Sequence, residues 1–187
     1  MFKILDDVCK PTKGSKYSAA IDLYASKDVV IGAGETVKVP LGVCIDLDLF
    51  DREEIGINAC KNDIVCSNIW EMFLKRHYLQ LEPRSSLRAK GLIAGTGVID
   101  LDYKNEIMII LHNPITNSWN ENFEDGTVDY ITHLHDGAEG TSRYKIKKGD
   151  KIAQILLKEH KTYLMGIDTE DERVGGFGST DKWIQIK

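Results

Sequence analysis

Apolar residues alternate with others at Val43, Ile45, Leu47 and Leu49, which is the period of a half-buried strand. Thr36-Val37-Lys38-Val39 alternates in the same way. Pro40 then ends that strand or places it at a sheet edge, because proline cannot donate to a ladder. The unbroken apolar run Ile107-Met108-Ile109-Ile110-Leu111 predicts a strand buried on both faces. Tyr144-Lys145-Ile146, Lys148-Gly149-Asp150 and Ile152-Ala153-Gln154-Ile155-Leu156 predict strand, turn and strand, with Gly149 supplying the turn. Short strands at this spacing predict an all-β sandwich, barrel or jelly roll.

One short helix interrupts the pattern. Asn68 is placed to cap it, and Glu71 completes a capping-box-like pattern. Ile69, Met72, Phe73 and Arg76 then share a face, with the Arg76 stem along the apolar stripe. This helix falls in the stretch 51–77, which lacks clear strand alternation. A second irregular stretch, 114–143, is rich in Asn, Asp, Glu, Gly and Thr. Long loops in compact domains are uncommon and are either functional or disordered.

Size and charge narrow the classes. With 187 residues and 42% hydrophobic content, the chain suits one packed domain with insertions. No apolar run approaches the roughly 20 residues that span a bilayer, so no membrane association is expected. The first ten residues, MFKILDDVCK, carry acids where a signal peptide carries an apolar stretch, so a cytoplasmic protein is expected. A net charge of −5 argues against a nucleic-acid binder but not against a small anionic substrate. Cys9, Cys44, Cys60 and Cys66 form no CxxC pair, so reduced thiols and no structural zinc are expected.

Four segments carry candidate chemistry. Arg84-Ser85-Ser86 offers a planar cation, hydroxyls and backbone N–H groups for phosphate oxygens; a helix start on a solvated surface uses the same residues. Gly95-Thr96-Gly97-Val98-Ile99-Asp100-Leu101-Asp102-Tyr103 reads as a tight hairpin whose backbone can approach a ligand closely. On it, Asp100 is a candidate general base and Tyr103 a candidate stacking platform; a plain acidic turn is the alternative. Gln154, mid-strand among apolar residues, needs a partner, either a phosphate oxygen or a strand neighbour. Gly175-Gly176-Phe177-Gly178-Ser179-Thr180 reads as a glycine-rich loop with an aromatic lid and two hydroxyls, or as a flexible tail.

In this order, these segments resemble the trimeric dUTPase family. Ala19-Ala20-Ile21-Asp22-Leu23 is similar to the family's first motif, residues 83–91 to its second, and Gly97 to Ile107 to its third. Residues 149–154 resemble the fourth and 173–180 the fifth. The resemblance implies a jelly-roll subunit, a homotrimer with shared active sites, and hydrolysis of dUTP to dUMP and pyrophosphate. Such an enzyme limits uracil in DNA and supplies dUMP for dTMP synthesis. It implies Asp100 as the base that activates water, Tyr103 against the deoxyribose, and the backbone from Ala94 through Gly97, Val98 and Ile99 reading uracil. Arg84, Ser85, Ser86, Gln154 and Arg173 would hold phosphates, with Asp22 supporting the site. Phe177 and Gly178 would close over the base, and Ser179 and Thr180 would meet the γ-phosphate. Magnesium is implied on triphosphate oxygens and water, with no protein metal ligands. Residues 1–172 would form the β-domain and 173–187 a closing arm.

The chain departs from the family at Ala20, Asn105 and Asp181, where the family has glycine, and is one residue shorter between Arg173 and Phe177. The related dCTP deaminases need an acid in the strand after the hairpin, and Ile110 stands at the matching position. Trp119, Phe123, Tyr130 and Ile131 make the stretch 114–143 more apolar than a solvated loop needs. It either packs on its own subunit or docks a regulatory protein partner.

Overall fold

The computed structural model describes residues 1–50, 63–114 and 143–167. The strands are β1 (Phe2–Ile4), β2 (Thr12–Lys13), β3 (Ile21–Tyr24), β4 (Val29–Ile31), β5 (Thr36–Pro40) and β6 (Val43–Ile45). They continue with β7 (His77–Pro83), β8 (Ile93–Ala94), β9 (Gly97–Asp100), β10 (Met108–His112), β11 (Tyr144–Ile146) and β12 (Lys151–Glu159). Two helices interrupt them, α1 (Asp63–Leu74) and α2 (Ser85–Ala89).

The main sheet has five strands in the order β2-β3-β12-β7-β9, and a second has three in the order β5-β10-β8. The pairs β1-β6 and β11-β4 flank them. Every described pairing is antiparallel, and strands distant in sequence lie side by side. The result is a jelly-roll-like all-β fold. Its core takes Leu23, Leu79, Ile152 and Ile155 from the main sheet and Val39, Ile109 and Leu111 from the second. Leu41, Ile107 and Ile146 join them from the flanking segments. Tyr144 is buried among them, and its hydroxyl donates to the Lys90 carbonyl, tying β11 to the end of α2. Burial pushes that hydroxyl's pKa up.

Several local expectations are met. β5 ends at Pro40 and forms an edge, and Gly149 makes the turn between β11 and β12 at φ +86°. Others are corrected. The alternation from Val43 to Leu49 is strand only to Ile45; Asp46 then caps a 3-10 turn over Leu47–Leu49 by accepting from the Asp48 N–H. Asn68 lies inside α1 rather than at its start, so it caps nothing. Arg76 lies beyond the helix, and its guanidinium stacks over the Tyr163 ring at 4.9 Å. The run from Ile107 to Leu111 is buried on one face only: Ile109 and Leu111 turn inward, while Ile110 is 43% exposed. A second helix, α2, occupies the Ser85–Ala89 segment and buries Leu87.

The insertion helix α1 docks through aromatic rings. Trp70 and Phe73 stack at 5.5 Å, Phe50 meets both edge-on, and Phe73 stacks on His77 at 4.2 Å. His77 Nδ1 lies 2.8 Å from the Phe73 carbonyl. A carbonyl only accepts, so Nδ1 carries the proton. This fixes the end of α1 against the start of β7, beside the strand that bears Asp100.

One turn is intolerant of any side chain. Gly42 sits at φ +65°, and a Cβ there would lie 2.6 Å from Cys9 Cβ and 2.7 Å from its sulfur. Gly42→Ala adds left-handed strain to a clash with a fully buried thiol. It is expected to cost more than about 2 kcal/mol, read as a lowered urea midpoint at unchanged slope.

Candidate active site

The central strand β12 has β3 on one side and β7 on the other. Its register sets Gln154 opposite Asp22 on β3 and opposite Glu82 on β7, while Thr12 on β2 lies opposite Asp22. Paired residues share a face of the sheet. The amide of Gln154, half-buried, therefore stands between two carboxylates. A shift in register between Lys151 and Ala153 re-aims the start of β12 just before this row.

Asp22 is buried, and two cations converge on it. Arg84 Nη1 donates to Oδ1, and Lys151 Nζ lies 3.4 Å from Oδ2. Each cation keeps part of itself in solvent, with Arg84 33% and Lys151 46% exposed. Asp22 thus orients two positive side chains that both remain partly open to solvent. Ser85 and Ser86 follow directly, exposed in the first turn of α2. The cluster is a set of donors suited to phosphate oxygens.

A second feature lies behind β9. A cavity of about 300 Å³ is lined by Gly95, Thr96, Gly97, Val98, Ile99 and Tyr103 together with Leu81 and residues 107–110. Its lining is mostly apolar, β10 contributes Met108, Ile109 and Ile110, and the lining residues Gly95 and Thr96 are exposed. Tyr103 is buried, held by its own N–H to the Asp100 carbonyl at 3.1 Å and by its hydroxyl to the Glu106 carbonyl at 3.4 Å. Glu106 in turn accepts from the Gly42 N–H at 2.8 Å, anchoring the segment to the core. Ile110 lines this cavity, so the position where a deaminase would need its acid is hydrocarbon.

The expected hairpin is not a hairpin. β8 pairs with β10 in the three-stranded sheet, whereas β9 pairs with β7 in the five-stranded one. Gly95 and Thr96 cross between the sheets, and that crossing is what opens the cavity. Ala94 lies on β8 and pairs with Leu111 instead of lining the cavity. Asp100 is exposed and opens on a neighbouring cavity of about 490 Å³, shared with Glu71, Lys75 and His77.

Asp100 lies far from the Asp22 cluster on one chain. Asp100 lies opposite Tyr78, four residues before Glu82 on β7, and β9 lies three strands from β3. Strand rise and spacing put Asp100 about 20 Å from Asp22. Arg173, Phe177, Gly178, Ser179 and Thr180 lie outside the described residues. Reading by motif passed over two residues. Lys151 sits within the fourth motif, and its charge beside Gln154 was the available signal. Glu82 was hidden by its place beside Pro83, with only strand alternation to show that it shares a face with Gln80.

Comparisons with known proteins agree on one family. A family model described as dUTPase matches residues 46–122. A deoxyuridine 5'-triphosphate nucleotidohydrolase of Candida glabrata is 28% identical over 178 residues, spanning 92% of this chain and 88% of that protein. The one from Paramecium bursaria Chlorella virus 1 is 29% identical over 183 residues, spanning 95% and 94%. Among solved structures, the dUTPase of phage phi11 of S. aureus superposes with a TM-score of 0.59 at 21% identity, covering 96% of this chain and 98% of that one. That structure is described as revealing coordination of a structural Mg(II) ion. The dUTPase of Staphylococcus bacteriophage 80alpha superposes with a TM-score of 0.55 at 19% identity, covering 96% and 97%. Its description has phage dUTPases controlling transfer of virulence genes by a G protein-like mechanism.

Asp22→Asn tests the cation cluster. It leaves Arg84 and Lys151 crowded without their counter-charge, so stability should fall by about 1–3 kcal/mol. The check is a denaturant midpoint measured against that of Asp22→Asn/Arg84→Leu, which should recover part of the loss.

Proposed function

The chain belongs to the dUTPase family, and from that premise we propose how its residues hydrolyse dUTP to dUMP and pyrophosphate. The observation that carries the reading is the division of labour on one chain. An apolar cavity lined in part by the exposed Gly95 and Thr96 suits a uracil ring, and a cluster of two cations and two hydroxyls suits a triphosphate. The separation of about 20 Å from Asp100 to Asp22 is more than one subunit closes by itself. A homotrimer, in which Asp100 of one copy meets the phosphate cluster of another, accounts for it.

In this arrangement the backbone at Gly97, Val98 and Ile99 reads the base edge, and the close walls leave no room for a 5-methyl group. Tyr103, held rigid by its bonds to Asp100 and Glu106, packs on the deoxyribose and excludes a 2′-hydroxyl. Arg84, Ser85, Ser86 and Gln154 hold the phosphates, and Asp22 fixes the direction of Arg84. Asp100 accepts a proton from a water as its oxygen bonds to the α-phosphorus; the bond to the bridging oxygen breaks and pyrophosphate leaves. Residues 173–187 act as the arm that supplies Arg173, Phe177, Gly178, Ser179 and Thr180 to complete the site.

Magnesium fits as part of the nucleotide. Both oxygens of Asp22 are engaged by cations, and the other donors of the cluster are hydroxyls and an amide, which suit phosphate rather than a metal. When bound with the nucleotide, the ion would supply positive charge to offset that of the triphosphate, while Arg84, Ser85, Ser86 and Gln154 would hold the phosphates. The stretch 114–143 is a docking segment for a regulatory protein in this reading. Its replacement by a short turn should leave dUTP turnover intact and remove a protein from a native-host pull-down.

Two variants test the chemistry. Asp100→Asn should leave dUTP binding largely intact and lower turnover by at least about a hundredfold, measured as pyrophosphate release; near-normal turnover would falsify the assignment. Tyr103→Ala should raise the kcat/KM for UTP relative to that for dUTP. An unchanged ratio would show that the ring does not police the sugar.

A further inference from the structure

Glu82 is the residue the reaction scheme leaves unused, although it stands at the junction of everything the scheme needs. Its side chain is 19% exposed and accepts from three elements at once. Gln80 Nε2 donates to Oε1 at 2.5 Å, from within β7. Thr96 Oγ1 donates to the same oxygen at 3.1 Å, from the crossing between the sheets. Arg88 Nη2 donates to Oε2 at 3.3 Å, from the last turn of α2. Gln80 itself accepts from the Tyr78 hydroxyl at 3.4 Å, so the row continues to the residue opposite Asp100.

We propose that Glu82 is a positioning residue for base recognition: it clamps the 95–97 crossing to the sheet through Thr96 and is itself held by Arg88. This rests on the reading that this crossing contacts the base. Gly95 has nothing within 4 Å of where a Cβ would be, and Gly97 meets only the Leu81 side chain. Thr96, between two residues without side chains, adds a side-chain hydrogen bond to the sheet just before the backbone pairing of Gly97 with Leu81 begins. Without it, two flanking glycines leave the rim of the base cavity wide conformational freedom. Ordering that rim would then be charged against binding. The base lies away from the bond that breaks, so its contacts are alike in ground state and transition state. Loosening them raises KM and spares kcat.

The carboxylate is suited to the task because all three neighbours donate. An amide at this position can still accept from the Thr96 hydroxyl or donate to it, since a hydroxyl does both. It must then turn an N–H toward Arg88 or Gln80. Glu82→Gln therefore keeps the tie to the crossing and loses a different contact, whereas Glu82→Ala loses all of them.

The test measures kcat and KM for dUTP in Glu82→Ala, Glu82→Gln, Thr96→Val and the double variant Glu82→Ala/Thr96→Val. Loss of this bond should raise KM about tenfold in Glu82→Ala and Thr96→Val, with kcat within about threefold of the parent. Glu82→Gln should stay near the parent, and the double variant should be no worse than Glu82→Ala. A parental KM in Thr96→Val overturns the proposal, as does a Glu82→Ala protein that loses kcat and thermal stability at constant KM. Should Glu82→Ala not fold, Thr96→Val and Glu82→Gln decide the matter. Amide hydrogen exchange at 95–97 in the free protein separates this inference from the assignment of the reaction. Exchange should quicken in Thr96→Val and hold in Glu82→Gln even if the parent released no pyrophosphate from dUTP, and unchanged exchange in Thr96→Val overturns the clamp.

Discussion

Antiparallel pairing of β12 with both β3 and β7 decides where the polar chemistry lies. That double register brings Asp22, Gln154 and Glu82, residues from distant parts of the chain, into one row. A slip of one residue in either pairing would turn Gln154 toward the core and Ile155 toward solvent. The hydrophobic cost of exposing Ile155 and its neighbours holds the register. The apolar core thus enforces the arrangement of the carboxylates and cations.

Each end of that row is used differently. At the β3 end, Asp22 gathers Arg84 and Lys151, both partly exposed to solvent. At the β7 end, Glu82 reaches over the sheet edge to the Thr96 crossing and to Arg88 in α2. The split of β8 and β9 between two sheets leaves room for the apolar cavity, and Tyr103 and Glu106 brace it against the turn at Gly42. Positive charge and apolar shape are therefore prepared separately, on a chain whose net charge is −5. Local clusters, rather than the overall charge, draw in an anionic substrate.

The strands that lie at the core were legible wherever alternation or an apolar run continued, as at β5, β11 and β12. The one-sided burial of β10 was not, because a run of five apolar residues carries no mark of which face meets protein. Asn68 misled because a capping pattern is local, and it recurs within helices whose true start lies earlier. The hairpin around Gly95 and Gly97 misled for the opposite reason: local turn chemistry was right, but long-range pairing sent its two arms to different sheets. Among site residues, Arg84 and Asp22 were each visible by motif. Their contact, across 62 residues of sequence, was not. Glu82 had no motif at all, and its three partners became evident only from the folded sheet.

The distance between Asp100 and the Asp22 cluster on one chain bears on heredity as well as on catalysis. In the proposed shared-site trimer, a subunit lacking Asp100 still offers an intact Arg84 cluster, and one lacking Arg84 still offers an intact Asp100. Two alleles that are each inactive alone can thus rebuild complete sites when their products mix in one trimer. Lesions that fall within the same cluster have no such remedy. The pattern of which alleles rescue which would map, without any coordinates, how the chain is divided between neighbouring sites.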